Sequence, residues 1–291
     1  MADFGLPALY ALFIWWFSTG AILWLDGLPA RTYRWSMLGA TMVLVGALCG
    51  LAASSADDSV LGAYCAFSCG LLIWGWQEMA FLMGYATGPV KAPCPPDARG
   101  WRRFVLALQA ILHHQIAILA GAVAVVVATW GQPNQIGTWT YLLIWGMRQS
   151  AYINVFLGAR NLNEQFLPDH LRYLGSFFLA RPMNLLFPFA VTAATLLTAL
   201  LFHRALAAGA SDFEAAGFTF LGTLAALATL EHWFLVLPIP AEALWKWGMR
   251  SRRDAAGGPV EGVVAAAAPS MAPALAPDRL RRLRPDAATA A

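Results

Sequence analysis

Runs of about 20 apolar residues recur along the chain, separated by short stretches in which proline, glycine and charge return. A run of that length crosses the roughly 30 Å hydrocarbon layer of a bilayer as a helix. Seven segments qualify, at 6–25, 36–53, 60–83, 104–129, 139–157, 184–202 and 218–237. No strand alternation competes with them, so the expected fold is all-α: a polytopic bundle of seven transmembrane helices. Beyond about Asp254 the chain turns to Ala, Pro and Gly and carries the basic run RLRRLRP at 279–285. Such a stretch buries too little apolar surface to offset its ordering entropy. The expected organisation is a membrane domain over 1–250 and a disordered Ala/Pro-rich cytoplasmic tail with a basic cluster over 251–291. Its arginines either touch anionic headgroups or stay solvated.

Composition agrees that the lipid bilayer is the solvent: 59% of residues are hydrophobic and 12% charged, against about 25% charged in ordinary soluble domains. Charge placement orients the bundle. The connections after segments one, three and five carry Arg31 and Arg34; Lys91, Arg99, Arg102 and Arg103; and Arg160, Arg172 and Arg181. The stretch after segment seven adds Lys246, Arg250, Arg252 and Arg253, whereas the alternate connections hold little beyond Asp57, Asp58, Arg204, Asp212 and Glu214. The positive-inside rule then places the N-terminus outside and the C-terminus in the cytoplasm. Tryptophans such as Trp24, Trp35, Trp101, Trp130, Trp139, Trp245 and Trp247 fall where segments meet the headgroups. The basic residues therefore reflect topology and give no argument for nucleic acid. The first run lacks the basic start and short length of a cleavable signal peptide.

Cys49, Cys65 and Cys69 lie inside apolar segments and Cys94 in a cytoplasmic loop, so no disulfide framework is expected. Cys65 and Cys69 share a helix face but lack a second pair to complete a metal site, and read as small buried hydrophobes.

Against this apolar background, Glu78, His113 with His114, Arg148, and Glu231 with His232 stand out. Each ionised group at a helix centre costs about 2.5 to 3.5 kcal/mol, so four cost about 10, comparable to a domain's net stability. Such groups are neutral, paired, hydrated or bound to a ligand. Counting back at about 1.5 Å per residue puts Glu78 and Glu231 about 8 Å from the cytoplasmic ends of their segments and the histidine pair about 15 Å. Ser150, Asn154, Asn161 and Glu164 follow helical spacing and form a stripe running out of the membrane toward Gln165 and His170. One cytoplasm-facing polar cavity lined by segments three, four, five and seven is expected, with Arg148, Asn154, Asn161, His170 and His232 among its polar residues. The alternative is a set of separate helix-to-helix hydrogen bonds.

Carboxylates and imidazoles from several helices suggest a carboxylate-bridged transition-metal site with Glu78, His114, Glu164 and Glu231 as ligands. The Glu-x-x-His spacing of such sites is missing, and adjacent residues diverge by about 100° on a helix. At most one residue of each adjacent pair can then face a shared centre. Ala110 and His114 form Ala-x-x-x-His, which resembles the pigment-binding helices of bacterial light-harvesting polypeptides. His114, with His113 beside it, is thereby a candidate ligand for a chlorin magnesium; a hydrogen-bonded structural histidine is the other reading. Phosphate loops, dinucleotide fingerprints and nucleophile elbows do not occur.

Several stretches carry a family likeness: YALFIWWFSTGAILWLDGLP at 10–29, RTYRWSM at 31–37, WGWQEMAFLMGYATGP at 74–89, LHHQ at 112–115, FLGARNLNEQFLPDHLRYLGSFF at 156–178, RPMNLLFP at 181–188 and LEHWFLVLP at 230–238. Over most of residues 5–250 the chain resembles the PuhE-type photosynthetic-complex assembly proteins of purple bacteria. The resemblance implies a multi-pass bacterial inner-membrane protein, cytoplasmic or intracytoplasmic, that serves assembly of the photosynthetic apparatus. Its implied partners are reaction-centre or light-harvesting antenna polypeptides or pigment-synthesis proteins. Its cavity would bind or hand on bacteriochlorophyll, a precursor or a nascent pigment-binding polypeptide. Two other readings stay open: a metal-dependent membrane oxidoreductase acting on a pigment intermediate, and a proton-coupled or anion transporter that uses Arg148 with the carboxylates.

Overall fold

The computed structural model describes residues 2–255. Their elements are α1 (Ala2–Asp26), α2 (Tyr33–Ser54), α3 (Val60–Leu82), α4 (Gly100–Ala110), α5 (Leu112–Ala128), α6 (Ile136–Leu157), α7 (Phe187–Ala205), α8 (Asp212–Phe234) and α9 (Arg250–Ala255), with short 3-10 turns between them. Among the described residues there is no strand, only one isolated bridge between Ala159 and Ala180. The basic run at 279–285 and the rest of the expected tail from 256 onward lie outside the described residues.

Five helical stretches are long and apolar enough to cross a membrane: Phe4–Asp26, Ala30–Ser54, Val60–Leu82, Phe187–Ala205 and Asp212–Phe234. The pair α4 and α5 makes a sixth if the two count as one bent span. Helix α6 has comparable length, 22 residues, but Arg148, Gln149, Ser150 and Asn154 make it too polar to qualify by composition. The apolar stretches of α3 and α8 are 50% and 56% buried, against 17%, 11% and 17% for α1, α2 and α7. Helix α3 is therefore the hub, packed against α1, α2, α5, α6 and α8. Leucine, valine, methionine and phenylalanine side chains cover the outer faces, as at Leu9, Phe13, Met42, Val127 and Leu196. Such continuous apolar exposure suits lipid rather than water.

Small residues set the central crossing. A side chain at Gly70 would meet the Gly137 carbonyl at 2.7 Å, and one at Gly137 would meet the Ala66 carbonyl at 2.7 Å. The backbones of α3 and α6 thus approach closely, the usual packing device where lipid gives no hydrophobic drive for helices to associate. Polar caps finish the helix ends. Asn134 donates to the carbonyls of Ser54 and Asp57 while its Oδ1 accepts from the Ile136 amide. Ser211 and Glu214 form a capping box on α8.

One expectation fails in detail. The segment 104–129 is not one straight span: α4 and α5 meet at a 64° bend. Neither proline nor glycine occupies the break, where Ile111 takes φ −122° and ψ 13°. The loop after α3 supplies the cause. The His114 amide, in the first turn of α5, donates to the Thr87 carbonyl at 3.0 Å, which satisfies a group the helix start leaves unpaired. Gly88 fits against Gln109 and Ala110, where a Cβ would lie 2.0 Å from the Gln109 carbonyl oxygen.

The connections that carry most of the basic residues gather at one end of the bundle. Cys94 N–H donates to Ser176 Oγ, Arg103 bonds the carbonyls of Phe156 and Phe177, and the amides of Arg160 and Asn161 donate to the Leu235 carbonyl. Arg252 pairs with Asp26 at 2.7 Å and bonds the Gln165 and Phe166 carbonyls. Ser251 also donates to the Trp24 carbonyl, so α9, which crosses the expected domain boundary at 250, docks on the end of α1. The opposite end holds the short loops around Asp57, Gln132 and Ala210.

Gly88→Ala is expected to lower the thermal stability of the detergent-solubilised protein by about 1 to 3 kcal/mol. Gly39→Ala, at a glycine with no neighbouring atom within 4 Å, is expected to leave it equal or higher, as measured by thermal unfolding of both variants.

Candidate functional site

Helix α6 carries the polar wall of the protein. The Arg148 Nη2 donates to Glu78 Oε2 on α3 at 2.7 Å, and its guanidinium lies 5.3 Å from the centroid of the Tyr152 ring one turn on. Glu78 is only 7% exposed. Arg148 leaves 40% of its side-chain surface uncovered, and in the middle of a helix that open surface borders an internal cavity. Beside it, Gln149 Nε2 donates to Gln115 Oε1 of α5 at 2.9 Å.

Helix α8 supplies the facing wall. Trp15 Nε1 on α1 donates to Glu231 Oε1 at 3.0 Å. His232 Nδ1 lies 2.8 Å from the Ala228 carbonyl, which can only accept, so Nδ1 carries the proton. In the neutral ring Nε2 then accepts from Ser150 Oγ at 2.9 Å. The two neighbours thus serve different partners, as the angle between adjacent helical residues requires.

Between these walls lies a cavity of about 540 Å³, within the roughly 300 to 1,000 Å³ of small-molecule sites. Helices α1, α3, α6 and α8 form its sides; α4 and the connection after α6 close it toward the basic end. Glu78, Arg148, Glu231 and His232 all border it, among aromatic side chains that include Trp15, Trp74 and Trp245. Asn163, which also lines the cavity, adopts a left-handed φ of 55°, a conformation that asparagine tolerates better than most residues.

Residues 1–256 match the family described as "Protein of unknown function (DUF3623)". The chain belongs to the DUF3623 family. A relative from Rhodobacter capsulatus described as "Uncharacterized 30.4 kDa protein in puhA 5'region" is 41% identical over 257 residues, 86% of this chain and 93% of the relative. No solved structure matches. The DUF3623 match takes in every helix that borders the cavity.

The expected site residues of this DUF3623 chain fall into two groups. Glu78, Arg148, Glu231 and His232 come together at the cavity. Asn154, Asn161, Glu164, His170, His113 and His114 do not border it. The cause for the polar stripe is local. Helix α6 ends at Leu157, and Gly158 turns the chain at φ 130°, so helical spacing cannot be extended to the residues beyond. Asn161 instead donates to the carbonyls of Phe234 and Leu237 at the end of α8. Glu164 is exposed and packs over Gly175. His170 lies against Gly84, where partial burial lowers its imidazole pKa below the usual range. Asn154 is fully buried, donates to the Ser150 carbonyl and accepts from Asn184.

The histidine pair divides as well. His113 is exposed, whereas His114 is fully buried and stacked on Phe81 with ring centroids 4.4 Å apart. The bend at Ile111 puts Ala110 and His114 on different helices, and Gly88 fills the space beside Ala110. A macrocycle therefore finds no open helix face there. Among the described residues no three His, Cys, Asp or Glu side chains converge to hold a metal ion; Glu78 and Glu231 share the cavity wall, while His114 and Glu164 lie outside it. The four cysteines are free thiols.

Sequence reasoning missed Trp15, the partner of Glu231; the Gln115–Gln149 pair; and Asn184. Asn184 bonds the carbonyls of Asn154 and Gly158, and its Oδ1 accepts from the amides of Leu186 and Phe187. An asparagine just before the apolar run LLFPF was a readable cap signal. Trp15 had no such signal, because its role depends on a contact 216 positions away.

Although Asn154 and Glu164 belong to one sequence stripe, Asn154→Ala is expected to destabilise the protein by about 1 to 3 kcal/mol through the buried partners it strands. Glu164→Ala should change stability by no more than about 0.5 kcal/mol. Thermal unfolding of the two purified variants checks the contrast.

Proposed function

We propose that this protein is an integral-membrane factor that serves assembly of the bacterial photosynthetic apparatus. The observation that carries the reading is the 41% identical relative, whose description places it in the puhA 5' region. The PuhE-type sequence stretches support it, and they include cavity residues such as Trp15, Glu78 and Glu231. In this reading α1, α2, α3, the bent α4–α5 pair, α6, α7 and α8 make seven passes through the bacterial inner membrane. Helix α6 is a span despite its polarity, because its polar side chains meet other helices and the cavity instead of lipid. The end that gathers the basic connections faces the cytoplasm, and the cavity closes toward that side.

Bacteriochlorophyll or a precursor in the cavity, with reaction-centre or antenna polypeptides as partners, is the working form of the proposal. Helix α4 fits it as an amphipathic lid at the headgroup level, with Trp101 exposed and Arg103 anchored over Phe156 at 4.2 Å. The metal-oxidoreductase reading has weaker support, since among the described residues the carboxylates and imidazoles do not converge on a metal site. The transporter reading, proton-coupled or anion, uses Arg148 with the carboxylates; the Arg148–Glu78 pair leaves less of the guanidinium for an anionic substrate.

Purification from pigment-producing cells under mild detergent tests the proposal. The expected result is a tetrapyrrole absorption band or a photosynthetic subunit that co-purifies in stoichiometric amount. A colourless protein with no such subunit, from cells that are assembling the apparatus, would contradict it.

A further inference from the structure

Among the described residues that line the cavity there are two carboxylates, Glu78 and Glu231, and one cation, the Arg148 guanidinium. His232 adds none, because a neutral imidazole satisfies both of its hydrogen bonds. Arg148 is committed to Glu78 at 2.7 Å, and although its field also reaches Glu231, one guanidinium cannot neutralise two carboxylates. Among the described residues Glu231 receives one hydrogen bond, from the Trp15 indole to Oε1, and its side chain borders the cavity. Glu78 is more than nine-tenths buried, and its Oε1 is also without a partner.

A carboxylate in a low-dielectric surround is compensated either by taking up a proton or by a positive charge, and it attracts that charge far more strongly there than it would in water. The walls add to this preference. Trp15, Trp74, Trp245 and Tyr152 border the cavity, with Trp15 and Trp245 in edge-to-face contact at 5.2 Å. Aromatic faces attract a cation within about 6 Å of the ring centroid, tryptophan most strongly. The cavity's volume of about 540 Å³ lies in the range of small-molecule sites.

We infer that the cavity binds an apolar small molecule bearing one positively charged centre, which sits at Glu231 among the indoles. The Arg148–Glu78 pair forms a neutral backing to that seat, and the apolar walls take the body of the ligand. This inference concerns the occupant alone: it would put a cationic molecule where the working form places neutral bacteriochlorophyll, while the assembly role rests on the relative and not on the cavity's charge, so each can fail without the other.

Two probes of matched shape and opposite charge test it: tetraphenylphosphonium and tetraphenylborate, titrated against the full-length protein in nanodiscs of zwitterionic lipid, with empty nanodiscs to subtract partitioning. Equilibrium dialysis is expected to show saturable binding of the phosphonium, at least about tenfold tighter than the borate. Glu231→Gln should weaken it about tenfold, while Glu231→Asp, which keeps the charge, retains it. Borate binding equal to or tighter than phosphonium binding, partition of both ions without saturation, or full affinity in Glu231→Gln would each overturn the inference. If the glutamine variant does not fold, the comparison of the two ions on the unaltered protein still decides.

Discussion

The ion pair between Glu78 and Arg148 is the constraint on which the interior depends. A guanidinium midway along α6, set among apolar side chains, is costly without a partner, and so is a carboxylate on the central helix α3. Each is acceptable only because the other lies 2.7 Å away. The pair fixes α6 against α3 on the side where Gly70, Gly137 and Ala66 already bring the two backbones together. It also decides where open space can exist. Polar side chains that cannot face lipid turn inward, and Arg148, Glu231, His232 and the Gln115–Gln149 pair bound a volume that apolar side chains alone would have filled.

A second layer of polar contacts holds this arrangement from outside. Ser150 links α6 to His232 of α8, Asn161 binds the last carbonyls of α8, and Asn184 joins the end of α6 to the start of α7. Toward the same end Trp16 donates to the Leu244 carbonyl while Trp245 donates to the Trp16 carbonyl, clasping the chain after α8 onto α1. Trp247 packs against Gly20, where a Cβ would meet its ring at 2.0 Å. The Asp26–Arg252 pair closes the clasp. Trp245 is thus carried into the cavity wall by a segment distant in sequence from the other walls.

Long apolar runs made α1, α2, α3, α7 and α8 legible, since length and hydropathy act locally and lipid rewards them directly. Glu78 and Glu231, estimated at equal depth, both border the cavity, although depth alone left separate helix-to-helix hydrogen bonds open. Legibility ended where the decisive contact lay elsewhere in the chain. Nothing between Ala110 and Leu112 announces a break, because Thr87 and Gly88 impose it from another loop. The helical spacing that joined Asn154 to Asn161 and Glu164 assumed a helix that Gly158 had already ended. Trp15 looked like one more aromatic residue in an apolar run until its indole was seen on Glu231.

The most direct measurement is a double-mutant cycle on Glu78→Gln and Arg148→Gln, read as unfolding free energy in mixed micelles. Each single variant should lose about 3 kcal/mol, the cost of leaving a buried charge unpaired. The double variant should lose little more than either, giving a coupling of about 2 kcal/mol or above. Additive losses, with coupling near zero, would mean that the two side chains do not depend on each other, and the account of the cavity would be contradicted.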